Sequence, residues 1–342
     1  MTEPRRLTGV PQDDIAPPER DAVTGDVHRR RAGKRGRRRA ERAMVPDAHF
    51  ESYYGKPVLN KPTWESRDIA GYLFLGGLAG GSSVLAAGAE FTGRRRLARS
   101  CKLGAFAAIL GSLAALIHDL GQPKRFYNML RVFKPSSPMS VGSWILSAFG
   151  PLAGVAAATD VTGRFPRVGR GATVGAALVG PAVASYTAAL VSDTAVPTWH
   201  DGHRQMPFVF VGSAATAAGG LGLLTAPTAQ AGPARRAVIL GAATELTASE
   251  LMSRRIGLSA EPLHTGIAGR YMTAAKVLTI GGAVLGGVFG ARSRTAAVVG
   301  GVASMAASAC TRFGIFHAGV ASAEDPKYTV VPQRARADAR AG

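Results

Sequence analysis

Residues 118–144 read HDLGQPKRFYNMLRVFKPSSPMSVGSW. An uncharged apolar segment, 103–117, precedes this stretch, and another apolar segment begins at Ile145. The stretch between them is too polar and too rich in proline to cross a membrane. It is also more aromatic than an ordinary solvated loop. Asp119, Lys124, Arg125, Arg131 and Lys134 stand beside Phe126, Tyr127, Phe133 and Trp144. That mixture suits the membrane–water boundary, where aromatic rings and snorkelling cations both find partners. The stretch therefore reads as an interfacial connector between two membrane spans.

Composition agrees. The chain has 342 residues, is 46% hydrophobic and holds 43 glycines, yet only 7% of it is aromatic. A soluble domain this apolar uses more large core side chains, whereas small residues let helices approach closely within a bilayer. The formal net charge is +19. Its cations lie in the tails and between apolar runs, which excludes the continuous basic face of a nucleic-acid-binding domain and fits topology signals. The two cysteines, Cys101 and Cys310, form no C-x-x-C pair, so no iron–sulfur or zinc framework is expected in this chain.

Residues 1–49 form a polar tail whose dense basic block, 29–42, holds nine Lys/Arg and one opposing acid, Glu41. Such a block is expected to be disordered and solvated. No apolar h-region follows cations within the first 30 residues, so no signal peptide is expected. Residues 50–67, with aromatics and prolines, read as an interfacial strap. Eight apolar runs follow: 68–92, 97–120, 139–161, 171–192, 206–224, 234–252, 271–290 and 295–316. Each is close to the roughly 20 residues a helix needs to cross the hydrocarbon core. The fold class expected is all-α, a polytopic membrane protein, with residues 317–342 as a polar C-terminal tail.

Eight spans put both termini on one face. On the other face the connections GRRRLARSCK, GRFPRVGRG, AQAGPARR and ARSR are short and basic. Counting these short loops places the basic face in the cytoplasm and the termini outside. The basic tail argues the reverse. Most ionisable residues inside the spans lie toward the termini's face: Tyr186, Glu250 and Arg312, with Glu245 nearer the middle and Glu90 near the basic face. An acid inside a span is a functional hypothesis by default. Glu245 and Glu250 are five residues apart and do not share a helical face, so only one need point at a cavity. Competing readings pair Glu250 with Arg254 or Arg255, let Arg312 snorkel, and make Tyr186 a core tyrosine with a satisfied hydroxyl.

SPMSVGSW at 137–144, DLGQPKRF at 119–126 and YTAALVSDTAVPTW at 186–199 resemble the signature stretches of the NrfD/PsrC family. YLFLGGLAGGSS at 72–83 resembles that family's first span. These are the polytopic membrane subunits of polysulfide-reductase-type and related molybdopterin oxidoreductases. The resemblance implies two four-helix bundles, no haem or cluster in this chain, and a quinone site near the face that docks an iron–sulfur electron-transfer subunit, itself joined to a molybdopterin-type catalytic subunit. Tyr186 matches the tyrosine that hydrogen-bonds the quinone. Asp119, Glu250 and Arg312 match positions linked to quinone binding or proton movement, and His118 adjoins them. Gln122 stands where an arginine is frequent, and the long basic tail also departs from the pattern.

The function expected is a membrane anchor and quinone/quinol-binding module in the plasma membrane, non-catalytic alone, with menaquinone or ubiquinone as exchangeable substrate. Arg125, Arg131 and Trp144 are the expected partner-docking residues. Two rivals come from other classes. His118 and His317 lie near one face and would ligate one haem of a b-type cytochrome anchor. Buried acids would serve an ion-coupled transporter, for which internal repeats with broken helices are the expected sign.

Overall fold

A computed structural model describes residues 58–59, 62, 64–120 and 125–341. The expected tail 1–49, most of the strap 50–67, and residues 121–124 of the first connector lie outside the described residues. Every regular element among the described residues is helical. The eight expected spans correspond to α1 (Ser66–Phe91), α2 (Arg95–Asp119), α4 (Pro138–Thr162), α5 (Pro166–Ser192), α7 (Met206–Thr225), α8 (Gly232–Arg255), α9 (Gly266–Gly282) and α10 (Arg294–Glu324). Short helices α3 (Arg125–Met129) and α6 (Pro197–Asp201) sit in the connections, and α11 (Lys327–Ala341) follows α10. Seven of the eight spans are long and apolar enough to cross a membrane by length and composition, α9 counting together with its continuation to Ala291. The eighth, α8, has 24 residues but carries Arg235, Arg236, Glu245, Glu250, Arg254 and Arg255.

The chain is thus an all-α, multi-pass membrane protein built as two four-helix bundles. In bundle one, α1 packs on α2 and α5, and α4 packs on α5 and α2. In bundle two, α7 packs on α8, and α8 on α9. Helix α10 joins through side-chain and backbone approaches to α7, α8 and α9: Ser213 to Ser308, Glu245 to Thr311, and Met272 to Gly314. The bundles meet where α1 and α5 cross α7. At the basic end a shared apolar core, including Leu85, Leu97, Cys101, Leu223, Val238 and Ala297, runs through α1, α2, α7, α8 and α10.

Small residues set these distances. Where α1 crosses α5, a Cβ at Gly80 would lie 2.4 Å from the Gly180 carbonyl oxygen. Where α10 crosses the end of α9, a Cβ at Gly300 would lie 2.1 Å from the Gly286 nitrogen. Only glycine permits such backbone contact, and close contact is what holds helices together where lipid offers no hydrophobic drive. Over Ala283–Val288 helix α9 widens into a π-turn before a short 3-10 turn, Phe289–Ala291. This is the segment that Gly300 meets.

The basic connections are shorter than the sequence suggests, because most of their arginines already belong to helices. Helix α2 begins at Arg95 and α5 at Pro166. The turn before α2 uses Gly93 at φ 72°, and the turn before α5 uses Gly163 at φ 67° and Phe165 at φ 55°. Arg294 donates to the Leu223 and Ala226 carbonyls at 2.6 and 2.8 Å, and also to the Leu224 carbonyl. Those carbonyls end α7 and have no intrahelical partner, so a cation there satisfies them. Lys102, buried on α2, meets Glu90 of α1 at 2.8 Å and Asp160 of α4 at 3.2 Å, while Arg170 of α5 lies 3.7 Å from Glu90. One charge cluster therefore ties all four helices of bundle one at this end.

On the termini's face the connections are longer and knitted together. Trp199 of α6 is fully buried. It stacks on Trp64 with centroids 5.9 Å apart, and its Nε1–H donates to the Ile315 carbonyl at 2.8 Å. The Thr198 hydroxyl donates to the Ser259 carbonyl at 2.8 Å, and the Ser259 hydroxyl to Asp201 at 2.5 Å. Ser259 belongs to a 3-10 segment, Gly257–Leu263, between α8 and α9. The expected C-terminal tail begins too early: α10 stays helical to Glu324, past the expected end at residue 316. Residues 61–323 form one compact unit; α11 belongs to a second unit and is a 15-residue helix with Pro332 inside it.

Candidate functional site

Tyr186 lies on the inward face of α5 and is buried. Its ring packs against the backbone of α4 at Gly142, where a Cβ would sit 2.3 Å from the ring. Its hydroxyl has no hydrogen-bond partner among the described residues. Buried polar atoms are nearly always paired, so this hydroxyl is an exception. The Ser82 and Thr187 hydroxyls, on α1 and α5, are likewise buried without a partner.

His118 and Asp119 end α2 and turn outward. His118 Nδ1 lies 2.6 Å from Asp68 Oδ2, with the imidazole largely exposed and the carboxylate mostly covered. Asp119 Oδ1 accepts from the Glu65 backbone N–H at 3.4 Å. Both residues thus pair with the start of α1. Asp68, which completes this group, was not singled out in the sequence; it sits at the first turn of α1, where an acid suits the helix dipole.

The two acids of α8 lie in opposite environments. Glu250 is exposed and lies 2.8 Å from Arg254 Nε, one turn on. The structure does not bring it into a bundle interior. Glu245 is buried at 3% exposure and accepts from the Thr311 hydroxyl at 2.5 Å, and its Oε2 has no hydrogen-bond partner among the described residues. The reason is helical phase. Val238, Gly241, Glu245, Ala248 and Met252 form one buried stripe, and Glu250 falls off it. Counting that stripe in the sequence would have selected Glu245.

Arg312 does not snorkel. It is fully buried, stacks 3.6 Å over the Phe210 ring and donates from Nη2 to the Phe210 carbonyl at 2.8 Å. Nε and Nη1 have no partner among the described residues. A Cβ at Gly77 of α1 would lie 3.2 Å from Nη2, so the guanidinium reaches the seam between the bundles. Arg312 and Glu245 thus form the polar centre of bundle two, with Thr311 and the Ser213–Ser308 hydroxyl pair, 2.8 Å apart, beside them.

Two of the three expected docking residues, Arg131 and Trp144, lie at the surface. Arg131 is exposed, and Trp144 meets Phe133 edge-on at 6.2 Å. Arg125 begins α3. The haem reading needs His118 and His317 together. His118 lies against Asp68, and His317 stacks on Tyr271 at 5.7 Å.

Eight long helices in two bundles, seven of them long and apolar enough to cross a membrane, make this an integral membrane protein, with the buried Tyr186 hydroxyl in one bundle and the buried Glu245 and Arg312 side chains in the other. A family model for polysulphide reductase, NrfD, matches residues 59–321. The chain belongs to the NrfD family, the membrane subunits of polysulfide reductase-type oxidoreductases, and its role is that of a membrane anchor. No curated protein sequence matches it.

Proposed function

We propose that this chain is the quinone/quinol-binding subunit of a molybdopterin and iron–sulfur oxidoreductase, passing electrons between the membrane quinone pool and an iron–sulfur partner. The Tyr186 hydroxyl carries this reading, because in a chain of the NrfD family it is buried inside bundle one with no hydrogen-bond partner among the described residues. In this reading it donates a hydrogen bond to a quinone carbonyl. The His118–Asp68 pair and Asp119, at the water-facing end of α2, exchange the two protons that accompany two electrons. Arg312, with Glu245 as the buried acid beside it, holds positive charge at the bundle seam where negative charge develops.

Arg125, Arg131 and Trp144, with the exposed Phe133 and Tyr127, present aromatics and cations to the iron–sulfur subunit, a composition common at interface cores. The complex works in the plasma membrane with the termini outside. Catalysis at the terminal substrate belongs to the molybdopterin-type partner. The test is solvent extraction of the purified complex for bound quinone, combined with displacement by a hydroxyquinoline N-oxide, a quinol mimic. Quinone recovered at about one per chain and released by the mimic is the expected result. An absorption spectrum with a Soret band on the isolated chain would instead favour the cytochrome anchor.

A further inference from the structure

We infer that Gly142 is a positioning residue that aims the Tyr186 hydroxyl, and that the segment SPMSVGSW (137–144) is the bracket that holds it in place. The inference rests on the quinone reading of Tyr186 and adds the residues that set where its hydroxyl lies.

Each polar or small position of the segment has a separate task. Ser137 caps α4, its side chain accepting from the Ser140 backbone N–H at 3.5 Å, and Pro138 follows at the first helical position. The Ser140 hydroxyl donates to the Val132 carbonyl and accepts from the Lys134 N–H, both at 3.0 Å, so the connector is clamped to the first turn of α4. Trp144 meets Phe133 of that connector edge-on. Between these fastenings sits Gly142, buried, with the Tyr186 ring where its side chain would be: a Cβ would lie 2.3, 2.7 and 3.2 Å from Cε2, Cδ2 and Cζ. Contacts this short are not tolerated, so any side chain at 142 moves the ring or the helix. The ring has two torsions, and α4's backbone blocks one side of it. The hydroxyl at its tip makes no hydrogen bond to a described residue that would fix it otherwise. Its direction is therefore set by the flat surface that Gly142 provides.

The test is titration of the purified complex with a fluorescent hydroxyquinoline N-oxide, reading the dissociation constant. Tyr186→Phe should weaken binding roughly 2- to 10-fold, the loss of one net hydrogen bond. Gly142→Ala should weaken it by at least as much in the wild-type background. In the Tyr186→Phe background it should add less than about twofold, because the two changes remove one interaction. Ser140→Ala, which frees the connector without adding bulk, should follow the same pattern at about 2- to 3-fold and covers the case in which Gly142→Ala does not fold. Gly150→Ala, on the same helix with open space around it, is the control and should be silent. Equal losses in both backgrounds, or Gly142→Ala and Ser140→Ala without effect beside a weakened Tyr186→Phe, overturn the inference and leave the quinone reading standing. A wild-type complex that does not bind the probe overturns the quinone reading itself, and the inference with it.

Discussion

The two bundles handle polarity in opposite ways. Bundle one keeps its charges at its ends. The Lys102–Glu90–Asp160 cluster closes the basic face and His118–Asp68 closes the other, with only hydroxyls between them. Bundle two places a carboxylate and a guanidinium in its interior, where Glu245 and Arg312 are both buried. A neutral, partnerless hydroxyl is cheap to hold and free to bind. A buried charge is costly and persists only with compensation around it. In the proposed reading, bundle one is the one that admits the quinone, and bundle two holds a fixed charge arrangement at the seam.

The largest test of that contrast is Arg312→Met. It removes the cation over Phe210, with its hydrogen bond to the Phe210 carbonyl, and leaves the buried Glu245 with no cation near it, so the loss is large. Thermal unfolding in detergent should show a large drop in Tm. Replacing Glu245 with leucine as well should recover most of it, since removing both partners costs less than removing one. An Arg312→Met protein of unchanged Tm that has lost its quinone would place Arg312 in the ligand site instead of the framework.

Next in size is Gly300→Val in bundle two. Its side chain has only the π-turn backbone at Gly286 to displace, so about 1–3 kcal/mol of overpacking is expected. The same method reads it. A silent Gly300→Val would mean that the π-turn gives way easily, and the rigidity assigned to bundle two would fail. Tyr186→Phe, in bundle one, should leave Tm unchanged or slightly raised, since it removes a buried polar atom without a partner. Its cost falls on quinol-linked turnover, about 0.5–1.5 kcal/mol for one hydrogen bond. A lowered Tm with normal turnover would mark Tyr186 as a core residue.

The spans were legible because length and hydropathy are one-dimensional: 206–224 became Met206–Thr225 and 139–161 became Pro138–Thr162. The turns at the basic face were less so. Arginine in a loop and arginine in a helix's first turn look alike in sequence, and only the glycines at positive φ show where α2 and α5 begin. Lys102 reads as one more topology signal, yet it folds inward because Glu90 and Asp160 arrive from helices before and after it. Tyr186 could be named from its motif, but not its emptiness of partners, which depends on the approach of α4. Gly142 was visible as a letter of the motif and had no meaning until the ring was seen against it.

The smallest expected effect comes from Glu250→Gln. Glu250 and Glu245 stand five residues apart on one helix, and the contrast between interior and surface passes between them. Glu250 is paired with Arg254 in solvent-exposed geometry, and such i,i+4 pairs contribute little. Its stability effect should be too small to resolve by thermal unfolding, and turnover should be unchanged, whereas Glu245→Gln should lower turnover, stability or both. The glutamine keeps size and hydrogen bonding and removes only the charge, so the pair of variants isolates where charge matters along α8. A Glu250→Gln complex that assembles fully but stops exchanging protons with the quinone pool would reverse the assignment. The proton-handling acid would then lie on the outer surface of α8, beside Arg254.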